Sequence, residues 1–97
     1  RDFEAAARAA LQVGGAKLLD HRPSHNPGEV VVQYRFKDRR FESVVHAKTL
    51  RIIDAGICLV DYATDTRGDT RFTLESIISV IDEAMRTGVL HVYRHLD

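Results

Sequence analysis

The stretch EVVVQYRFKDRRFESVVHA, residues 29–47, decides the fold because apolar and polar side chains alternate along two consecutive segments. The apolar face carries Val30, Val32, Tyr34 and Phe36 in the first segment and Phe41, Ser43, Val45 and Ala47 in the second. A period of two residues is typical of a strand with one buried face. Two such segments in succession predict an antiparallel hairpin.

The register of this hairpin depends on where the chain turns. A turn at residues 38–39 predicts that Phe36 lies opposite Phe41, which makes the apolar faces of the two strands coincide. The same register places Arg35 opposite Glu42, a pair of opposite charge. Arginine is not a favoured residue in a tight two-residue turn, so a longer loop is an alternative.

The segment before the hairpin predicts a helix and a short strand. Residues 2–12 are rich in alanine, the strongest helix former, and Asp2 can cap their start. The glycines at residues 14–15 end the helix. Residues 16–22 then predict a strand, and residues 23–28, PSHNPG, predict a loop.

The segment after the hairpin predicts further strands around a second helix. Residues 50–54 and 57–60 are apolar runs, and Gly56 suits a bulge or bend between them. Residues 89–96, VLHVYRHL, predict a final strand.

Residues 73–87 predict the second helix, with Thr73 as its cap and Gly88 at its end. Its apolar stripe consists of Leu74, Ile77, Ile78, Ile81, Ala84 and Met85. Such a stripe needs an apolar surface to cover it, and the sheet offers one.

The element order α-β-β-β-(β)-α-β predicts an α+β two-layer sandwich, in which two helices cover an antiparallel meander of four to five strands. The length of 97 residues and the 44% of apolar residues predict one domain over residues 1–97 that needs no metal or disulfide for its core. Because the chain begins at Arg1 rather than at a methionine, we expect it to be a fragment of a longer protein.

The net charge is zero, but the charges are unevenly placed. Residues 33–51 sum to +4 and residues 54–83 sum to −5, so the fold can carry one face of each sign. The lone cysteine, Cys58, stands in an apolar run and predicts a core residue. No apolar run approaches the roughly 20 residues that cross a bilayer, so the expected setting is cytoplasmic, without a membrane.

The basic part of the hairpin is a candidate surface for polyanions, since lysine and arginine side chains neutralise phosphates. The candidate residues are Arg35, Lys37, Arg39, Arg40 and Arg51. Tyr34 and Phe41, which could stack on bases, fall on the core face of the hairpin. Basic strand faces also protect sheets from pairing with one another, which is the alternative interpretation.

Metal and cofactor sites are not predicted. The weak candidates are His91 and His95, which share one face of the last predicted strand. Four residues of regular strand separate them by about 13 Å, too far to hold one ion. No known metal motif or phosphate-binding loop is present.

An enzymatic function is disfavoured because no nucleophile stands in an activating pattern. The tripeptide Arg67-Gly68-Asp69 lies in the predicted loop over residues 61–72, where glycine and aspartate are turn formers. We therefore interpret it as part of a turn rather than as an adhesive ligand.

The leading hypothesis is a non-enzymatic interaction or regulatory module of a larger protein, with a protein partner or a neighbouring domain of the same chain. One alternative is a nucleic-acid-binding domain that uses the basic hairpin. Another is a small-ligand or enzyme domain whose site is built from scattered residues.

Overall fold

The computed structural model describes residues 2–59 and 71–92. Its elements are α1 (Phe3–Val13), β1 (Lys17–Pro23), β2 (Glu29–Phe36), β3 (Arg39–His46), β4 (Ile52–Asp54), β5 (Ile57–Leu59), α2 (Ile77–Thr87) and β6 (Leu90–Val92). Strands β1 to β4 form an antiparallel sheet in chain order, and β5 pairs with β6 in a two-stranded sheet. The α+β class and the antiparallel meander are confirmed.

Helix α1 begins as its sequence predicts. The Asp2 carboxylate accepts a hydrogen bond from the backbone N–H of Ala5 at 2.8 Å, which satisfies one of the free donors of the first turn. Ala7, Ala10 and Leu11 are buried along one side of the helix. The side chains of Ala7 and Ala10 are small, which lets the helix backbone lie close to the sheet.

Helix α2 begins at Ile77, so the predicted start at Thr73 is wrong. Residues 73–76 form a capping turn instead. The Thr73 hydroxyl accepts from the Ser76 N–H at 3.2 Å, and the Ser76 hydroxyl accepts from the Thr73 N–H at 2.9 Å. This reciprocal pair follows the logic of a capping box, and Thr73 therefore caps the helix from one turn further out. Gly88 ends the helix with a φ of 73°.

The hairpin of β2 and β3 turns one residue earlier than predicted. Lys37 and Asp38 form a two-residue turn with φ of 48° and 64°, the conformation that matches the twist of the flanking strands. The register is shifted by two residues, so Arg35 lies opposite Arg40 and not opposite Glu42. A shift of two leaves each side chain on its own face, and the alternation is therefore equally compatible with both registers.

The core lies between one face of the four-stranded sheet and the two helices. Its largest fully buried side chains are Tyr34, Phe41, Leu11, Ile52, Ile57, Leu74, Ile77, Ile78, Ile81, Val32 and Val45. The helix and sheet members belong to one contiguous cluster that also includes Val92 of β6. The two predicted apolar stripes therefore bury their faces on the same side of the sheet.

Both edges of the four-stranded sheet carry features that oppose the addition of another strand. On β1, the Asp20 carboxylate accepts from the backbone N–H of His21 at 2.8 Å, next to a bulge, and Pro23 has no N–H. On β4, the N–H of Ile52 donates to the Phe72 carbonyl at 2.8 Å.

Parts of the predicted loop and last strand, residues 61–70 and 93–97, lie outside the described residues. Within the ranges 2–59 and 71–92, neither helix is long and apolar enough to cross a membrane.

Candidate interaction surface

The outer face of the sheet β1–β4 is the face turned away from the two helices. The strand register arranges its side chains in cross-strand rows. Starting at the end with the β2–β3 turn, the basic row is Lys17, Arg35 and Arg40; the acidic row is Asp20, Gln33 and Glu42; and the apolar row is Val31 and Val44, flanked by Arg22 and Asp54. Successive rows lie about 6–7 Å apart along the strands, which is two residues of strand.

The basic row places three cations on neighbouring strands. Lys17 lies opposite Arg35, and Arg35 lies opposite Arg40. Lys17 and Arg35 are exposed, and neither forms an ion pair with a carboxylate in the part of the chain that the structure describes. Like charges in directly opposed positions are destabilising. An anion bound over the row would relieve this repulsion.

In the acidic row, Glu42 forms an ion pair with Arg22, whereas Asp20 forms none within residues 2–59 and 71–92. The Glu42 carboxylate accepts from the Gln33 amide at 3.2 Å and from the Arg22 guanidinium at 3.4 Å, and its side chain is 13% exposed. Asp20 is exposed at the β1 edge. The row therefore keeps negative charge directly beside the basic row.

The apolar row forms the floor of a shallow concavity of about 490 Å³. Val31 and Val44 lie opposite each other and are only 7% and 9% exposed, although they are not part of the main core cluster. Ile53 of β4 joins them in lining the concavity, and the loop with His25 and Asn26 forms its rim.

The polar groups of this rim bond mostly within their own loop. The Ser24 hydroxyl accepts from the Asn26 N–H at 3.3 Å, and the Asn26 amide donates to Glu29 at 3.3 Å. Within residues 2–59 and 71–92, no hydrogen bond joins Ser24 to the His25 ring. The rim is therefore a structured loop that is held by its own hydrogen bonds.

The structure does not bring the five predicted polyanion-binding residues together. Arg35 and Arg40 share the basic row. Lys37 instead donates to Asp82 of α2 at 2.7 Å, so it faces the helix layer. Arg51 lies beside Thr73 at the start of β4, which is the opposite end of β3 from the turn.

Arg39 lies apart from the basic row, whereas Lys17, which was not among the predicted residues, belongs to it. Arg39 lies over the Phe41 ring, with its guanidinium carbon 5.9 Å from the ring centre, on the helix side of the sheet. Lys17 was missed by sequence reasoning, although it belongs to the basic row. The position of Lys17 opposite Arg35 could not be predicted, because the pairing of β1 with β2 includes a bulge between Leu18 and Asp20. The alternation of apolar and polar residues in one sequence does not reveal such a bulge.

Only one of the two histidine candidates lies in the described part of the chain. His91 is exposed on β6, and His95 lies outside the described residues. No three metal-ligating side chains cluster anywhere in residues 2–59 or 71–92. The Cys58 side chain also lies outside the described part.

In comparisons with protein-family models, with curated proteins and with solved structures, nothing matches this chain.

Proposed function

We propose that this chain is a non-enzymatic protein-interaction module whose binding surface is the outer face of the sheet β1–β4. One observation carries the proposal. Both helices pack on the inner face, and the outer face carries a concavity that is lined by the half-buried Ile53 above the nearly buried Val31 and Val44 and that lies beside charged rows.

An apolar centre within a charged, polar rim is the usual anatomy of a protein–protein interface. The protected edges of β1 and β4 leave a face, rather than an edge, as the place where a partner binds. Four strands are about 14 Å wide and eight residues are about 26 Å long, so a partner buries a few hundred Å² of this face. That area is typical of a transient interface.

Nucleic-acid binding is the second candidate, and the basic row favours it. Two observations weigh against it. Tyr34 and Phe41 are fully buried and cannot stack on bases. The exposed Asp20 carboxylate lies next to the basic row and repels a phosphate backbone that follows the strands.

The proposal is tested by comparing Ile53→Glu with Val13→Glu in the full-length protein, each isolated with its bound partners from cells that naturally express it. Ile53 lines the outer-face concavity, whereas Val13 is an apolar control on α1 that is 68% exposed. We expect the Ile53 variant alone to lose a partner that the unchanged protein retains. Thermal unfolding of both variants controls for misfolding. Identical partners for both folded variants would contradict the proposal.

A further inference from the structure

We infer that the basic row of Lys17, Arg35 and Arg40 binds one compact oxyanion with two charges, of the kind that a phosphate group presents, held across the strands. This inference goes beyond the proposed function, since the anion binds whether or not a protein covers the outer face. It starts from the direct opposition of cations on three neighbouring strands. Lys17 and Arg35 are also exposed and have no carboxylate partner in residues 2–59 and 71–92.

The charges of Lys17 and Arg35 are not offset by the fold. Elsewhere on the outer face, Arg22 is paired with the Glu42 carboxylate at 3.4 Å. Lys17 and Arg35 instead lie opposite each other, and the Cβ atoms of residues in such positions are about 4.5–5.5 Å apart. Their charges therefore repel, and no carboxylate of the described residues pairs with either of them. An anion placed between the two side chains supplies the missing negative charge.

The donors of the row favour a phosphate group over a carboxylate. A carboxylate has two oxygens, which a single guanidinium satisfies through two parallel hydrogen bonds. A phosphate group has three acceptor oxygens and a charge of about −1.5 to −2 at pH 7. It therefore accepts from the Arg35 guanidinium and from the Lys17 ammonium at the same time. Arg40 adds positive charge on the other side of Arg35.

The surroundings of the row limit the anion to a single group. In the next row along the strands, about 6–7 Å away, lies the exposed carboxylate of Asp20. An extended polyanion that follows the strands meets this negative charge, whereas a compact anion that lies across the strands stays over the cations. At the turn end, Lys37 donates to Asp82 of α2 and does not lengthen the basic row.

Two sources carry this chemistry, a free phosphate ion and a phosphorylated side chain of a partner protein. The test is an NMR titration of the ¹⁵N-labelled chain at constant ionic strength and at about pH 7.5, where a phosphoserine side chain is close to a dianion. The probes are inorganic phosphate, a short peptide with one phosphoserine, and the same peptide with glutamate in its place.

We expect inorganic phosphate and the phosphoserine peptide to shift the backbone amides of residues 17, 35 and 40. Both should bind at least about fivefold more tightly than the glutamate peptide. Tighter binding of the phosphoserine peptide than of inorganic phosphate assigns the anion to a partner's side chain. Binding of inorganic phosphate that is equally tight or tighter assigns it to a free ion. Both results support the site.

Removal of single charges supplies the matched variants. Arg35→Gln and Lys17→Gln should each weaken the binding of the phosphoserine peptide at least about fivefold. Lys48→Gln removes the same charge from an exposed position in the turn at the far end of β3, and it should change the affinity less than about twofold. Arg35→Gln and Lys17→Gln relieve the repulsion between opposed cations, so their melting temperatures should not fall. Lower melting temperatures would contradict this repulsion.

Equal affinities for the phosphoserine and glutamate peptides, the absence of shifts at residues 17 and 35, or equal losses from Arg35→Gln and Lys48→Gln would overturn the inference. An oligothymidylate that binds more tightly per phosphate than the phosphoserine peptide would overturn it in favour of nucleic acid. The inference and the proposed function fail separately. If phosphate binds at the basic row but Ile53→Glu loses no partner, the anion site stands and the interaction module is wrong.

Discussion

The Tyr34 hydroxyl lies 2.9 Å from the Ser43 hydroxyl in the middle of the core, and both side chains are fully buried. Ser43 donates its only hydroxyl proton to the Ala55 carbonyl at 2.8 Å. Tyr34 must therefore donate to Ser43. The relay joins β2, β3 and the residue after β4 through polar groups that have no access to water.

Replacing Ser43 with alanine should destabilise the fold more than replacing Tyr34 with phenylalanine. Ser43→Ala leaves both the Tyr34 hydroxyl and the Ala55 carbonyl without this partner, at about 1–3 kcal/mol for each unsatisfied group. In the Ser43→Ala background, Tyr34→Phe removes one unsatisfied group and should be neutral or stabilising. Urea unfolding of the two single variants and the double variant measures this coupling. Additive losses would show that the relay is not connected as described.

The Tyr34 phenol should stay protonated well into the alkaline range, because burial raises its pKa from 10.0 to about 12. A raised pKa means that the neutral form is favoured by folding. Its contribution to stability is therefore complete below pH 10 and is lost as the pH rises through about 12. Ultraviolet titration of the chain minus that of Tyr34→Phe isolates this group. A difference curve with its midpoint near 10 would mean that the phenol is accessible to water.

Gly14 should tolerate no side chain, because a Cβ there would lie 2.5 Å from Cβ of Ile78. Gly14→Asn should cost about 1–3 kcal/mol by forcing α1 and α2 apart. Gly15→Asn is the matched control, since Gly15 has open space around it and a φ of 87°, a region that asparagine adopts more readily than most residues. Equal melting temperatures for the two variants would contradict the close approach of α1 to α2.

The ion pair between Lys37 and Asp82 should make stability depend on acid pH. The hydrogen bond from Lys37 lowers the pKa of Asp82 below its usual value of 3.8. This contribution is therefore present above that value and is lost as the pH falls through the lowered pKa. Lys37→Met should be less stable than the unchanged chain at neutral pH, and the difference should shrink under strong acid. Lys17→Met, which breaks no ion pair in the described residues, is the control, and the same acid dependence in both variants would contradict this pairing.

The sequence was informative about faces and less so about registers. Alternation correctly placed Tyr34, Phe41 and Ser43 on the buried face of the sheet. The reason is that a strand with one buried face has apolar side chains at every second residue. It did not distinguish two registers that differ by two residues, since both keep every side chain on its own face. The turn chemistry of Lys37 and Asp38, both at positive φ, differs from the usual Asn-Gly signal.

The candidate surface was only partly predictable for a related reason. Arg35 and Arg40 were recognised as basic, but their direct opposition depends on the true register. Lys17 joins them through the pairing of β1 with β2, whose register depends on the irregularity between Leu18 and Asp20. The neighbourhood of Val31 and Ile53 on the outer face could likewise not be predicted without the strand pairing, because the two residues come from separate strands.

The central claim, that the outer face binds a protein partner, is tested most directly by site-specific photocrosslinking. A benzophenone-bearing amino acid is placed at Ile53 in one variant and at Val13 in another, in the full-length protein at native expression level. Mass spectrometry then identifies the crosslinked products. We expect one discrete intermolecular adduct from position 53 and none from position 13. No adduct from position 53, the same adducts from both positions, or an adduct formed only within the chain itself would contradict the claim.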